Sequence, residues 1–212
     1  MIDPREAAGF VLAGGRSSRM GQNKALLPFG GQSLLAHALA TLNAAGLTAQ
    51  ISGGEPELAR FAPLIPDHEP GLGPLSGIVA ALRCNTAQWA VFLPVDLPLL
   101  PSSLLRILLR HSSDTHAPVT LVSLNGFVES FPVVLRQDTL SPLQSALDSA
   151  QRGCLRGFRH AAEALGHPLT VLAAEDLAGQ VGGTHPPSQW LLNVNRPEDF
   201  QQACQQTPGS IP

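Results

Sequence analysis

Two spacings of apolar residues alternate along the chain. Short runs such as Gly9 to Ala13 (GFVLA) and Trp89 to Pro94 (WAVFLP) are the length of strands and apolar throughout, the pattern of strands buried on both faces, and Leu47 to Ser52 is a further strand candidate. Between them, apolar residues recur every three to four positions. Leu34, Leu35, Ala38, Leu39 and Leu42 form one such stripe, opened by Ser33 as N-cap and closed by Gly46. Leu104, Leu105, Leu108 and Leu109 form another, in a helix predicted from Pro101-Ser102 to about His111.

A short helix is predicted over Pro56 to Phe61, an extended piece over Pro63 to Pro66, and a helix from Leu75 to about Arg83. Strands joined by connections of this length predict right-handed crossovers and a mainly parallel sheet with helices on both faces. Ala117 to Leu124 and Phe127 to Leu135 flank Asn125-Gly126, a strong hairpin signal, so the sheet is expected to be mixed. Helices are predicted over Gln137 to Ala150 and Cys154 to Leu165, and a strand over Leu169 to Ala173. A loop is predicted over Gly179 to Pro187, a strand over Trp190 to Val194, and a last helix opening at Arg196-Pro197.

Composition narrows the class. A chain of 212 residues with 44% hydrophobic and 14% charged side chains can bury one full core, so residues 1–206 are expected to be a single domain with a tail at 207–212. A net charge of -3 argues against a general nucleic-acid surface, so any anion must be held by a local cluster. Cys84, Cys154 and Cys204 are widely separated, which indicates neither a disulfide frame nor a thiolate zinc site. No uncharged apolar stretch approaches 18 residues and the N-terminal MIDPREAAG carries two acids, so a soluble cytoplasmic protein without membrane association is expected.

The stretch richest in candidate chemistry is Gly9 to Lys24. A buried strand ends in Gly14-Gly15, whose backbone can approach an anion closely and present N–H groups to it, and Arg16, Arg19 and Lys24 follow. The plainer reading is a glycine turn with solvated arginines. Against it, twelve of the thirteen basic residues are Arg, and the sole lysine lies in this loop. The spacing is not that of a P-loop, because Gly15 and Gly21 are six apart and Lys24 precedes Ala25; G-x-G-x-x-G is absent too.

Asp67 to Gly77 (DHEPGLGPLSG) is a Gly- and Pro-rich loop opening a helix, suited to wrapping a flat base or to a simple turn. Asp96 follows the WAVFLP strand, where open α/β sheets place ligands, and it is a hard oxygen donor of the kind Mg²⁺ takes. Seven His residues show no H-x-x-x-H pairing, and no serine lies in a G-x-S-x-G elbow.

Five stretches carry a resemblance: LAGGRSSRMGQNKALLPFGGQSLL, LIPD, GPLSGIVAAL, PVDLPLLP and NVNRPEDF. Together they resemble the nucleotidyltransferase family that includes molybdenum cofactor guanylyltransferase. The resemblance implies a three-layer α/β/α Rossmann-like fold, with a nucleotide-binding half at about 1–112 and an acceptor-binding half at about 113–206. It further implies transfer of GMP from GTP to the terminal phosphate of molybdopterin, with Mg²⁺ as cofactor. Transient contact with proteins that make or receive the molybdenum cofactor is also implied.

Ala13-Gly14-Gly15 stands where cytidylyl-transferring relatives read Ala-Ala-Gly, which favours GTP over CTP. A relative using CTP or activating a sugar 1-phosphate is the alternative, and a non-catalytic nucleotide-binding protein a second.

By the same resemblance, Leu12, Ala13, Gly14 and Gly15 line the nucleotide, Lys24 meets its phosphates and Arg19 the leaving pyrophosphate. Asp67 lies on the nucleoside side, Asp96 holds Mg²⁺, and Asn195 helps hold the metal, with Asn193 as the alternative. Ser52 replaces a family asparagine and is expected to offer its hydroxyl to ribose or base. Arg152, Arg156 and Arg159 either engage the acceptor's phosphate or decorate a solvated helix face.

Overall fold

The computed structural model describes residues 6–14, 23–67, 73–149, 153–183, 185–194 and 199. In chain order these form β1 (Ala7–Leu12), a small hairpin of β2 (Pro28–Phe29) and β3 (Gln32–Ser33), α1 (Leu34–Ala44), β4 (Thr48–Ser52) and β5 (Leu64–Ile65). There follow α2 (Pro74–Cys84), β6 (Trp89–Pro94), α3 (Ser102–Thr115), β7 (Val119–Leu124), β8 (Phe127–Arg136), α4 (Leu140–Asp148) and α5 (Cys154–Ala164). The last described elements are β9 (Thr170–Ala173), α6 (Ala174–Val181) and α7 (Pro187–Trp190).

Seven strands make one sheet in the order β5-β4-β1-β6-β8-β7-β9. β1 pairs in parallel with both β4 and β6, while β8 runs antiparallel to its neighbours β6 and β7. The sheet is therefore mostly parallel and mixed, as the strand pattern predicts. Alternation along β1 divides the core. Val11 belongs to the core layer that includes α1, α3, α6 and α7, whereas Phe10 and Leu12 belong to the layer on the other face with α2, α4 and α5. Phe10 stacks on Phe92 of β6 at 5.1 Å between ring centres. Each fully buried Leu or Phe contributes about 1.5–3 kcal/mol of transfer free energy, and these two layers hold the sheet rigid.

α1 begins where the sequence predicts. The Ser33 hydroxyl accepts from Ala36 N at 3.2 Å, and the stripe from Leu34 to Leu42 is buried. It ends at Gly46, φ 87°, with Leu47 N donating back to Leu42 O at 3.1 Å. Gly9 lets this helix come close, since a Cβ there would lie 3.1 Å from Leu42 Cδ2.

Three expectations change. α3 runs on past His111 to Thr115, stopped by His116 in a left-handed conformation (φ 53°), because Ser112 finds partners for its buried hydroxyl in Leu108 O and Thr120 Oγ1. The predicted loop at Gly179 to Pro187 is partly helix: α6 extends to Val181, burying Ala174, Leu177 and Val181 against the sheet. Trp190 to Val194 is not a strand. Pro187 opens the short α7, Trp190 is buried with its Nε1 donating to His185 O at 2.8 Å, and Val194 N bonds Asp96 O rather than a ladder partner. The final helix predicted from Arg196 and the tail at 207–212 lie outside the described residues, Asp199 excepted. Among the described residues no helix is long and apolar enough to cross a membrane.

Topology fixes where a ligand can enter. α1 carries the chain from β1 to β4 across one face, and α2 carries it from β5 back to β6 across the other. The crossovers diverge between β1 and β6, leaving a crevice at the carboxyl ends of these strands.

Candidate active site at the carboxyl edge of the sheet

Leu12 is in register with both Ser52 and Pro94, so β4, β1 and β6 end side by side. At a strand spacing of about 4.8 Å, these three exits span roughly 10 Å, enough for a nucleotide laid across them. Ala13 N donates to Ser52 O at 3.1 Å, and Gly53 N to Ile65 O at 2.9 Å, which ties the exits of β1, β4 and β5 together.

Beyond those bonds the backbones touch. A Cβ on Gly53 would stand 3.2 Å from Gly14 Cα and 3.9 Å from Asp67 Cβ. Gly53 (φ 72°) and Gly54 (φ 93°) are left-handed, whereas Gly14 serves by close backbone approach; Gly15 lies outside the described residues.

Lys24 is placed by a local cap. Asn23 Oδ1 accepts from Ala25 N at 3.1 Å and starts a single turn of 3-10 helix over Lys24–Leu26. From there Lys24 Nζ reaches Asp96 Oδ2 at 2.8 Å, both side chains less than a fifth exposed. Asp96 follows β6 by two residues, and its backbone carbonyl is held by Val194 N at 2.9 Å. Its second carboxylate oxygen, Oδ1, is buried and has no hydrogen-bond partner among the described residues.

A desolvated carboxylate oxygen without a partner costs about 1–3 kcal/mol or more, which suits a hard cation. Among the described residues no three His, Cys, Asp or Glu side chains converge on a common metal position. A divalent ion held here would find one carboxylate ligand, Asp96, among the described residues, and Mg²⁺ habitually completes its shell with phosphate oxygens and water.

The other side of the crevice is built by the first turn of α2. Gly73, φ 83°, turns the chain into the helix with Pro74 at its first position, and the Ser76 hydroxyl donates to Asp67 Oδ1. Ser52 is a correction to the reading above: it is 1% exposed, and its hydroxyl donates at 2.7 Å to Gly77 O. The hydroxyl expected to meet ribose or base is spent inside the sheet–helix contact, on a carbonyl that α2 packs against β4.

The structure thus brings together Leu12, Ala13, Gly14, Lys24, Asp67 and Asp96, with Ser52 turned inward. Arg19, Asn195 and Arg152 lie outside the described residues, although Val194, the neighbour of Asn195, is bonded to Asp96. Asn193, Arg156 and Arg159 are exposed. Gly53, Gly54 and Ser76 were not picked out as site residues by the sequence, though a Ser-Gly-Gly directly after an apolar run is a signal of a strand exit meeting a ligand or another backbone.

The chain is similar to known proteins. Residues 9–165 match the model of the MobA-like NTP transferase domain. The chain is 37% identical over 202 residues to the molybdenum cofactor guanylyltransferase of Xanthomonas euvesicatoria, covering 92% of this chain and 98% of that one. Among solved structures it resembles molybdopterin-guanine dinucleotide biosynthesis protein A from Archaeoglobus fulgidus, with TM-score 0.76, 19% identity and coverage of 93% and 97%. It also resembles a Mycobacterium tuberculosis protein solved in complex with manganese, with TM-score 0.64, 20% identity and coverage of 95% and 98%. At these identities the two structures speak to the fold.

Proposed function

This chain belongs to the MobA-like NTP transferase family, and from that premise we propose that it transfers GMP from GTP to the terminal phosphate of molybdopterin, releasing pyrophosphate. The observation that carries the proposal is the Lys24–Asp96 pair at 2.8 Å, with the buried second oxygen of Asp96 without a partner among the described residues.

The reaction is an in-line displacement at the α-phosphorus: the acceptor's phosphate oxygen forms the new P–O bond as the bond to pyrophosphate breaks. A phosphate monoester is already anionic at neutral pH, so no side-chain nucleophile or general base is needed. The protein's work is to position the reactants and neutralise charge. The nucleoside lies at the exits of β1 and β4, over Ala13 and Gly14 and beside Asp67, where glycines at 14, 53 and 54 let the backbones pack closely against one another. Lys24 offers its ammonium to the α-phosphoryl oxygens while staying within reach of Asp96. Asp96 Oδ1, already desolvated, would serve as a ligand to a divalent metal bound there. When bound there, Mg²⁺ supplies neutralisation of the phosphate oxygens and the departing pyrophosphate. Arg19, the Gly15 amide and Asn195 complete this set by family resemblance, and the acceptor is received by the half at about 113–206.

The test is pyrophosphate release by the purified protein with GTP, CTP or UTP plus molybdopterin, with Mg²⁺ and after chelation. Release with GTP alone, lost on chelation, is the expected result; activity confined to CTP or to a sugar 1-phosphate acceptor overturns it. Lys24→Ala and Asp96→Ala are each expected to lower turnover at least about 100-fold, the scale of losing one preorganised charge contact.

A further inference from the structure

We propose that Ser76 is a positioning residue for nucleoside recognition, acting through Asp67, and that it thereby sets part of the affinity and base selectivity of the site. The inference rests on the nucleotidyltransferase reading above and deepens it.

Ser76 stands at the third position of α2, is 4% exposed, and donates its hydroxyl to Asp67 Oδ1 across the mouth of the loop that joins β5 to α2. A serine at this position of a helix can satisfy itself locally or leave its hydroxyl to water; here it is buried and aimed at a carboxylate. The Asp67 side chain starts beside Gly53, its Cβ 3.9 Å from where a Cβ on that glycine would stand, at the exits of β4 and β1 that the proposed function assigns to the nucleoside. An ionised carboxylate has about four acceptor positions, and the bond from Ser76 occupies one of them while restricting the rotation of the group.

The platform that carries Ser76 is itself pinned. The neighbouring Gly77 carbonyl accepts from buried Ser52, and a Cβ on Gly77 would lie 3.1 Å from Ser52 Oγ, so the first turn of α2 is seated on the end of β4. Two buried hydroxyls in this way couple the start of α2 to the strand ends, one to the backbone and one to Asp67. A carboxylate held in one orientation presents paired acceptors to paired donors: the N1–H and 2-amino group of guanine, or the 2′- and 3′-hydroxyls of ribose. CTP offers no such N1–H and 2-amino pair, so a fixed Asp67 discriminates if the base is its target.

Equilibrium dialysis of wild type and variants against GTP, ITP, 2′-deoxy-GTP and CTP tests this directly, with steady-state kinetics alongside. Ser76→Ala is expected to weaken GTP binding about tenfold, the scale of a hydrogen bond to a charged group, with the loss falling on KM more than on kcat. Ser76→Thr, which keeps the hydroxyl, is expected to recover most of it. In an Asp67→Ala background, Ser76→Ala is expected to add no further loss, because its partner is gone. A smaller Ser76→Ala effect on ITP than on GTP assigns the carboxylate to the guanine edge; a smaller effect on 2′-deoxy-GTP assigns it to ribose.

Ser112→Ala removes a comparably buried hydroxyl remote from the crevice, so it should lower Tm while leaving nucleotide affinity unchanged. Wild-type GTP affinity in Ser76→Ala, or an undiminished Ser76→Ala effect in the Asp67→Ala background, overturns the positioning role. Should wild type prefer CTP, the guanylyl reading falls while the same variants, compared on CTP, still decide the role of Ser76. Absence of binding to any nucleotide overturns both.

Discussion

At Gly54 an added Cβ would stand 2.7 Å from Leu58 Cδ1 and 3.3 Å from Ala13 O, on a backbone with φ 93°. Both the left-handed conformation and the crowding of a fully buried leucine oppose any side chain there. Gly54→Ala is expected to cost about 2 kcal/mol or more in urea denaturation. Gly31→Ala serves as the comparison, since its φ is 83° but nothing lies within 4 Å of a Cβ; it should cost about 1 kcal/mol, the conformational part alone. Only the Gly54 change should also weaken nucleotide binding if, as proposed above, Ala13 lines the nucleotide site. Lys24 and Asp96 were legible from residue type and position: one lysine among thirteen cations, one aspartate after the most apolar strand. Ser52 was not, because a hydroxyl bonds whichever acceptor the fold brings nearest, and the carbonyl that claims it is 25 residues away.

Among the elements, the β7–β8 hairpin shows how far a local signal reaches. Asn125 and Gly126 adopt φ 51° and 79°, the turn that Asn-Gly predicts. What the dipeptide does not reveal is that Glu175, in the first turn of α6, accepts from Asn125 N at 2.6 Å. That backbone N–H holds the Glu175 carboxyl below the usual glutamate range. A lowered folded-state pKa means that the fold favours the ionised form. The contribution is present above the ordinary glutamate value and is lost as pH falls through the lowered one. Denaturation midpoints of wild type and Glu175→Gln should therefore differ at neutral pH and converge in acid; a constant difference would remove the carboxylate from this role. α6 itself left a trace in the sequence, since Ala174, Leu177 and Val181 recur at helical spacing. Gly179 and the Gly182-Gly183 pair obscured it, and burial against α3 and the sheet decided the matter.

For the molecule as a whole, the two-faced core makes global unfolding the route by which buried groups meet solvent. Cys154 lies at the start of α5 in the α2–α4–α5 layer, and burial pushes its thiol up to about 12. An unfolded thiol ionises near its ordinary value, so this group's share of stability is whole below that value and is lost as pH rises toward 12. Iodoacetamide with peptide mapping should modify exposed Cys84 in the native protein and Cys154 only as fast as the protein unfolds. Prompt native-state modification of Cys154 would show local opening of α5 instead.

By itself the sequence determined the alternation of strands and helices, the hairpin, the start and stop of α1, and the chemical identity of the residues at the strand exits. It also carried the family motifs, because these are matters of local spacing and residue type. Only the tertiary structure decided that β6 lies beside β1, so that Lys24 meets an aspartate 72 residues away. It likewise turned Ser52 inward, joined Ser76 to Asp67, and spent Val194 on Asp96 in place of a strand. Periodicity records which side of an element is buried, but strand order and the choice among competing hydrogen-bond acceptors arise from packing between distant segments, which no local window contains.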